Sequence, residues 1–251
     1  MLYYNNSHGQ NEVNQVKKKT LVPLIIFLLG ICLVSLIVYK TDTHEKEQRH
    51  TTAQLNATTY GERIKQEISD GIEITHTLQQ LLIDENGTIN KFDAIANNLV
   101  NDSVENIQLA PNGVVTDIYP KEGNEAGKID LLNDKERGKL SCYARDEHIL
   151  ITQGPFELEQ GGEGIAVRNP VYLEDGTGQE YFWGFTIVIL RVPEIFSDSI
   201  SALSNFGYEY KISKTDAPWS DTYKVVYQSD GQINRPVSYT FTIGAENWKF
   251  E

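Results

Sequence analysis

Residues 21–39, LVPLIIFLLGICLVSLIVY, form a run of 19 positions without a charge, close to the ~20 residues that a helix needs to cross hydrocarbon. Fourteen of them are Leu, Ile, Val or Phe, each favouring insertion by roughly 0.3–0.6 kcal/mol at the helix centre. Gly30 and Ser35 do not offset that sum, and Pro23 sits in the first turn, where it is tolerated. A cleaved signal peptide has a shorter apolar core followed by small residues. Here Tyr39-Lys40-Thr41-Asp42 follows instead, so the run predicts a membrane anchor.

Beyond the span the pattern changes. From Tyr60, Ile64, Ile68, Ile72, Thr75, Leu78 and Leu82 recur at spacings of four, four, three, three and four, the stripe of one helix face. The preceding residues 41–59 are polar, so a helix there is solvated or held by a partner helix. A short helix with Asn90 as its cap is expected next, with Phe92, Ile95, Ala96 and Leu99 on one face. Residues 104–110 and 114–119, joined by Pro111-Asn112-Gly113, read as a β-hairpin. Residues 121–130 read as loop, and a third helix is expected from Asn133 or Asp134 to about Asp146.

From His148 the chain is mostly strand. Residues 148–152, 164–172 and 181–190 predict an antiparallel meander, interrupted at Gly154-Pro155. Phe182 to Leu190 is too short to cross a bilayer and reads as a central buried strand. A helix over 193–204, ended by Gly207, precedes four further strand patterns at 208–213, 222–228, 237–243 and from Trp248. The predicted fold class is α+β: an N-terminal transmembrane helix, a long juxtamembrane helix and two strand-rich lobes. The expected segments are a tail (1–20), a span (21–39), a long helix (40–83), a larger lobe (84–205) and a smaller lobe (206–251). The alternating Trp248-Lys249-Phe250-Glu251 at the close raises the expectation of a longer protein.

Charge orients this plan. Lys17, Lys18 and Lys19 precede the span while mixed charges follow it, so the positive-inside bias places the N-terminus in the cytoplasm and residues 40–251 outside the cell membrane. The 251 residues hold 22 basic and 35 acidic side chains, a net charge of −13. Three basic residues and one acid precede Lys40, so the acidic excess belongs to the exported part. That balance argues against a nucleic-acid partner, because phosphate backbones need cationic surface. Only Cys142 lies in the exported part, so no disulfide forms within it and stability rests on a core.

Candidate chemistry is thin. The five histidines show no metal-ligand spacing, and the nucleophile elbow and phosphate-loop patterns are absent from the sequence. Gly161-Gly162-Glu163-Gly164 lacks the Lys that a phosphate loop needs and reads as a turn. Asp130 and Asp134, with Glu122 and Glu125, could form a carboxylate pair, which leaves an anchored exported hydrolase using Asp130 and Glu125 as the alternative reading. Two residues stand out by placement. Asp130 lies in the apolar run Ile129-Asp130-Leu131-Leu132, and Arg168 lies inside the strand pattern Ile165 to Val171. A buried cation there needs a partner or a ligand.

The ordered words Val104 to Pro120, Ile129-Asp-Leu-Leu132, Ala144-Arg145, Gly154-Pro-Phe-Glu-Leu158, Gln160-Gly-Gly162, Arg168-Asn-Pro-Val171 and Phe182-Trp-Gly-Phe185 resemble a CHASE domain over about residues 60–251. The resemblance implies an extracytoplasmic small-ligand sensor with a dimerising helix and two PAS-like lobes. It is bounded by two membrane helices and coupled to a cytoplasmic output such as a histidine kinase or diguanylate cyclase. It implies a homodimer, no cofactor and no enzymatic activity in this part. The Asp of the Asp-hydrophobic-hydrophobic word contacts ligand in plant cytokinin-receptor members, which carries over to Asp130, with apolar walls from Leu150 and Phe156. Glu147 and His148 depart from the Gly-Lys-like turn common in the family.

Overall fold

The computed structural model describes residues 7–122, 127, 129–158 and 161–251, with side chains from Leu21 onward except Val22. It divides into two compact units, residues 1–53 and 54–251.

The first unit is helical from Ser7, and its helix α1 continues unbroken to Asp84. From Leu21 to Tyr39 its large apolar side chains are exposed on every side, Phe27 at 65% and Val38 at 62%. In water that surface would cost free energy in proportion to its area. A helix apolar all round belongs in a core or in a membrane, and this one is long and apolar enough to cross a bilayer. The polar stretch that follows stays helical through i,i+4 contacts such as Lys46 with Asp42 at 2.6 Å, as solvated helices do.

In the second unit the stripe turns inward. Ile64, Ile68, Thr75, Leu78 and Leu82 are at most 1% exposed. Two antiparallel sheets follow in sequence. The five-stranded sheet, in the order β2-β1-β5-β4-β3, contains β1 (Val104–Pro111), β2 (Asp117–Tyr119), β3 (Ile151–Glu157), β4 (Glu163–Glu174) and β5 (Glu180–Val192). The four-stranded sheet, in the order β7-β6-β9-β8, contains β6 (Lys211–Thr215), β7 (Tyr223–Gln228), β8 (Tyr239–Ile243) and β9 (Glu246–Phe250). The expected α+β class, with a long apolar N-terminal helix, is the observed one. The Phe182 to Leu190 run is the middle of the central strand β5, continuous in hydrophobicity because both faces are covered.

One face of the five-stranded sheet packs on α1 and continues into the core beside the smaller sheet. Gly71 permits the approach, since a Cβ there would lie 2.5 Å from Leu190 Cδ2. Polar bonds set the register: Thr186 Oγ1 donates to Thr75 O at 3.0 Å, Asn169 Nδ2 to Gln79 Oε1 at 2.9 Å, and Trp183 Nε1 to Gly87 O at 3.0 Å. Thr186 is fully buried. Thr186→Val is therefore expected to lower the unfolding free energy by about 1–2 kcal/mol, the usual cost of deleting one member of a buried hydrogen bond, as measured by urea unfolding.

Five local expectations need correction. Helix α2 (Phe92–Leu99) is capped by Lys91 in the left-handed conformation and not by Asn90, because the Asn90 N–H is already held by Glu85 Oε2 at 2.7 Å. Helix α3 begins at Gly138 and runs to Asp146, later than expected. Asp134 Oδ1 accepts the N–H groups of Glu136 and Arg137, both at 2.9 Å, and closes a separate turn first. Strand β3 continues through Gly154-Pro155 by a bulge, with the register shifting between Gln153 and Phe156. The second hairpin strand is only three residues long, because Val115 N–H turns away to Ile129 O at 2.9 Å. The expected helix near 193–204 is a 3-10 turn (Glu194–Phe196) followed by α4 (Ser197–Asn205).

Candidate functional site

The face of the five-stranded sheet opposite α1 lies under α3 and the segment leading into it. Directly opposed residues of paired strands point to one face, so the register identifies its lining. One row runs Gln108, Ile187, Arg168, Ile151 and the next Asn106, Ile189, Ala166, Gln153. Val115, Ile118, Leu131, Leu140 and Ala144 cover these rows, joined by Ala217 from beyond β6.

The floor is mixed by design of the alternation: apolar Ile187 and Ile189 lie in the middle, with polar groups on both sides. On β1, Gln108 Nε2 donates to Asn106 Oδ1 at 2.8 Å, and both residues are buried. On β4, Arg168 is 4% exposed, and its Nη1 donates to Gln153 Oε1 on β3. Burial is the main influence that lowers the Arg168 pKa, to about 10. The Arg137 charge acts in the same direction, and Asp134 and Glu246 partly offset both. The guanidinium is thus cationic at neutral pH. Among the described residues no carboxylate lies within ion-pair distance of it. A guanidinium carries five N–H donors, so this is a buried cation whose close partner is a neutral amide.

Aromatic rings bound the same region. His148 stacks on Tyr172 with centroids 3.9 Å apart, and Tyr172, Phe182 and Phe185 follow edge to face. Burial pushes the Tyr172 hydroxyl up to about 12, and it donates to Arg145 O. Tyr143 on α3 meets Trp219 edge-on at 5.3 Å, with Lys139 Nζ 4.3 Å from the Trp219 ring centre.

The four residues singled out in the sequence occupy different places. Arg168 is on the covered face. Asp130 is half-buried in the cover, bridged to Val114, beside the buried Leu131. Its carboxylate accepts Asn133 Nδ2 at 2.8 Å and the N–H groups of Asn133 and Leu132 at 3.1 and 3.2 Å. These donors, the Asn133 side chain foremost, hold its pKa below the usual carboxylate value. Leu150 precedes β3 and packs against the α1-side core, where its carbonyl accepts the Ala245 N–H at 3.1 Å. Phe156 follows the bulge of β3, opposite Gly164, and is 36% exposed.

Glu125, the suggested partner of Asp130 in a carboxylate pair, lies outside the described residues, as do Glu159 and Gln160. The glycines that follow form a turn, with Gly161 N–H bonded to Leu158 O at 2.9 Å. Among the described residues no group of three or more His, Cys, Asp or Glu could hold a metal ion. Sequence reasoning missed Asn106, Gln108 and Gln153. The signal was available for the first two, since polar residues at i and i+2 of an apolar strand share a face.

No family model matches the chain, so the CHASE resemblance rests on its ordered words. No curated protein matches it either. Among solved structures the chain is similar to the extracellular ligand binding receptor from Desulfohalobium retbaense DSM5692, with a TM-score of 0.57 and 14% sequence identity. The match covers 79% of this chain and 39% of that one, so this chain spans about two fifths of that receptor's length. At that identity the likeness is one of fold alone.

Proposed function

We propose that the chain is the extracytoplasmic input part of a transmembrane receptor of CHASE type, sensing a small ligand that carries an anionic group. The buried Arg168, facing an apolar floor with a neutral partner, carries this reading. A buried cation is costly unless paired, and guanidinium is suited to carboxylate and phosphate through two parallel N–H donors. Gln108, Asn106 and Gln153 supply neutral polar contacts that would orient the remainder of the ligand. Asp130 has one oxygen with a single donor, and it is proposed as a second contact from the cover, with Leu150 and Phe156 at the ends of β3 as apolar walls.

The topology in this proposal has the N-terminus in the cytoplasm, one crossing at 21–39, and residues 40–251 outside as two PAS-like lobes (84–205 and 206–251) following the helix. Ligand binding would shift the population of α1 packing arrangements in a homodimer and so reach a cytoplasmic output domain. The likeness in fold to an extracellular ligand-binding receptor supports a receptor more than an anchored hydrolase.

Thermal unfolding of the chain in micelles, screened against small carboxylates, phosphates, amines and sugars, tests the proposal. At 100 times its Kd a ligand stabilises by about 2.7 kcal/mol, which raises the Tm of a domain this size by about 5–10 °C. Stabilisation by one or more anions is expected. Stabilisation confined to amines or neutral sugars would refute the anionic assignment.

A further inference from the structure

The two sheets of the second unit meet at a buried polar cluster that the ligand-binding reading does not use. Glu246, the first residue of β9, is fully buried, and its carboxylate receives three hydrogen bonds from β3 of the other sheet. Thr152 N–H donates to both oxygens at 3.1 Å, and Thr152 Oγ1 donates to Oε2 at 3.3 Å. The adjacent Ala245 N–H bonds to Leu150 O at 3.1 Å, so two successive residues of the β8–β9 turn and strand are tied to the start of β3.

Lys214 on β6 is 1% exposed. It lies opposite Trp248, and so on the same face as Glu246 two residues earlier. Its Nζ donates to Thr215 O at 2.8 Å. The charged groups around this cluster come from several elements. Lys214 faces Glu246 from β6, with Asp216 and Lys224 around Lys214, and Arg168 acts from β4, with Asp134 and Arg137 around it.

We propose that Glu246, Thr152 and Lys214 form a proton-operated clamp between the sheets: proton uptake by Glu246 holds β9 against β3, and proton release loosens it. The physical reason is the asymmetry between closed and open forms. Closed, the carboxyl has lost its water and has three donors, and ionisation leaves a buried charge that must be carried by Lys214. Open, the same carboxylate is hydrated, and hydration favours the ion. Burial, the largest influence, raises the Glu246 pKa to about 7 despite the opposing pull of Lys214 and the Thr152 donors. The ordinary value is 4.5, so the closed form binds a proton that the open form releases over the intervening range. Closure is therefore fully favoured below about pH 4.5, and that contribution is lost as pH rises through about 7. Burial lowers the Lys214 pKa as well, so the Lys214 charge does not restore what ionisation of Glu246 removes.

Amide hydrogen exchange of the full chain in nanodiscs, corrected for the intrinsic pH dependence, reads the clamp at Thr152 and Ala245. Their opening constants are expected to rise about 25-fold between pH 5.5 and 8, as linkage from a carboxyl displaced by this much requires. Glu246→Gln should flatten that profile. Opening independent of pH in the parent chain, or the same slope in Glu246→Gln, would overturn the proposal. If Glu246→Gln does not fold, Thr152→Val supplies the second test. Removing a hydroxyl that stabilises the carboxylate should move the midpoint of the profile to higher pH, and an unmoved midpoint would count against the clamp.

Discussion

Replacing Arg168 with methionine is expected to abolish stabilisation by anions while leaving the chain folded as stably as the parent or more so. Arg168 sits 4% exposed among Ile187, Ile151 and Ala166, and its one described hydrogen bond runs to the amide of Gln153. Desolvating a guanidinium costs several kcal/mol, and a neutral amide returns only part of it. An apolar side chain of similar length removes that cost and fills the same space, at the lesser expense of freeing Gln153 Oε1. Urea unfolding should place the variant between about 0 and 2 kcal/mol more stable. Anion affinity should move the other way. Losing one partner of a buried charge pair costs roughly 2–5 kcal/mol, which calorimetry would register as a fall in affinity of at least about thirtyfold. An anion that binds Arg168→Met as tightly as the parent would remove Arg168 from the site. Arg168→Lys should recover only part of the affinity, since an ammonium keeps the charge and loses the two-pronged geometry.

Gly184→Ala should be the most damaging single-methyl change in the second unit. Gly184 lies within the central strand, opposite Pro111 of β1 and Val171 of β4. Its φ of 151° is one that side-chain-bearing residues rarely adopt. A Cβ would be placed on the Ala110 carbonyl oxygen and 2.7 Å from Pro111 Cα. Both obstacles are backbone, in a strand that is itself held between two others, so neither can move aside without breaking the ladder. A loss of about 3 kcal/mol or more is expected, in the range reserved for overpacking combined with backbone strain. Gly176, in the exposed β4–β5 turn with open space around it, is the control, and its Ala variant should lie within about 0.5 kcal/mol of the parent. Equal urea midpoints for the two variants would contradict the packing described for β5.

The CHASE-like word Phe182-Trp-Gly-Phe185 acquires a separate physical reason at each position. Phe182 closes an aromatic row against Tyr172, Trp183 ties the sheet to the turn after α1, Gly184 admits the β1 backbone, and Phe185 fills the covered core. None of these reasons is present in the word itself. Periodicity shows that a strand is buried but not which atoms approach it, because for Trp183 and Gly184 those atoms come from residues about 70 to 100 positions earlier.

The candidate site was partly legible. Arg168 stands out in the sequence because a cation inside an apolar strand pattern has few places to go. Asn106 and Gln108 carry the same kind of signal, but in a hairpin either face can be the wet one, and only pairing with β5 turns this face inward. Gln153 depends on a bulge at Gly154, which periodicity read as a break. The resemblance implies Leu150 and Phe156 together, yet the shift in register between Gln153 and Phe156 separates the two ends of β3.

Local chemistry by itself determined the long apolar helix, the helical stripe, the central strand and the α+β class, because each depends on the side chains of a few adjacent turns or on solvent. Tertiary structure alone decided the lengths of the capped elements, the burial of Arg168 and the joining of Glu246 to Thr152. Each of these turns on a competition between partners distant in sequence: a carboxylate that captures two N–H groups before a helix can start, a sheet register that sends a cation inward, a β-turn that docks on another sheet. Such competitions are settled by which groups lose water together, and that becomes defined only when the chain has closed on itself.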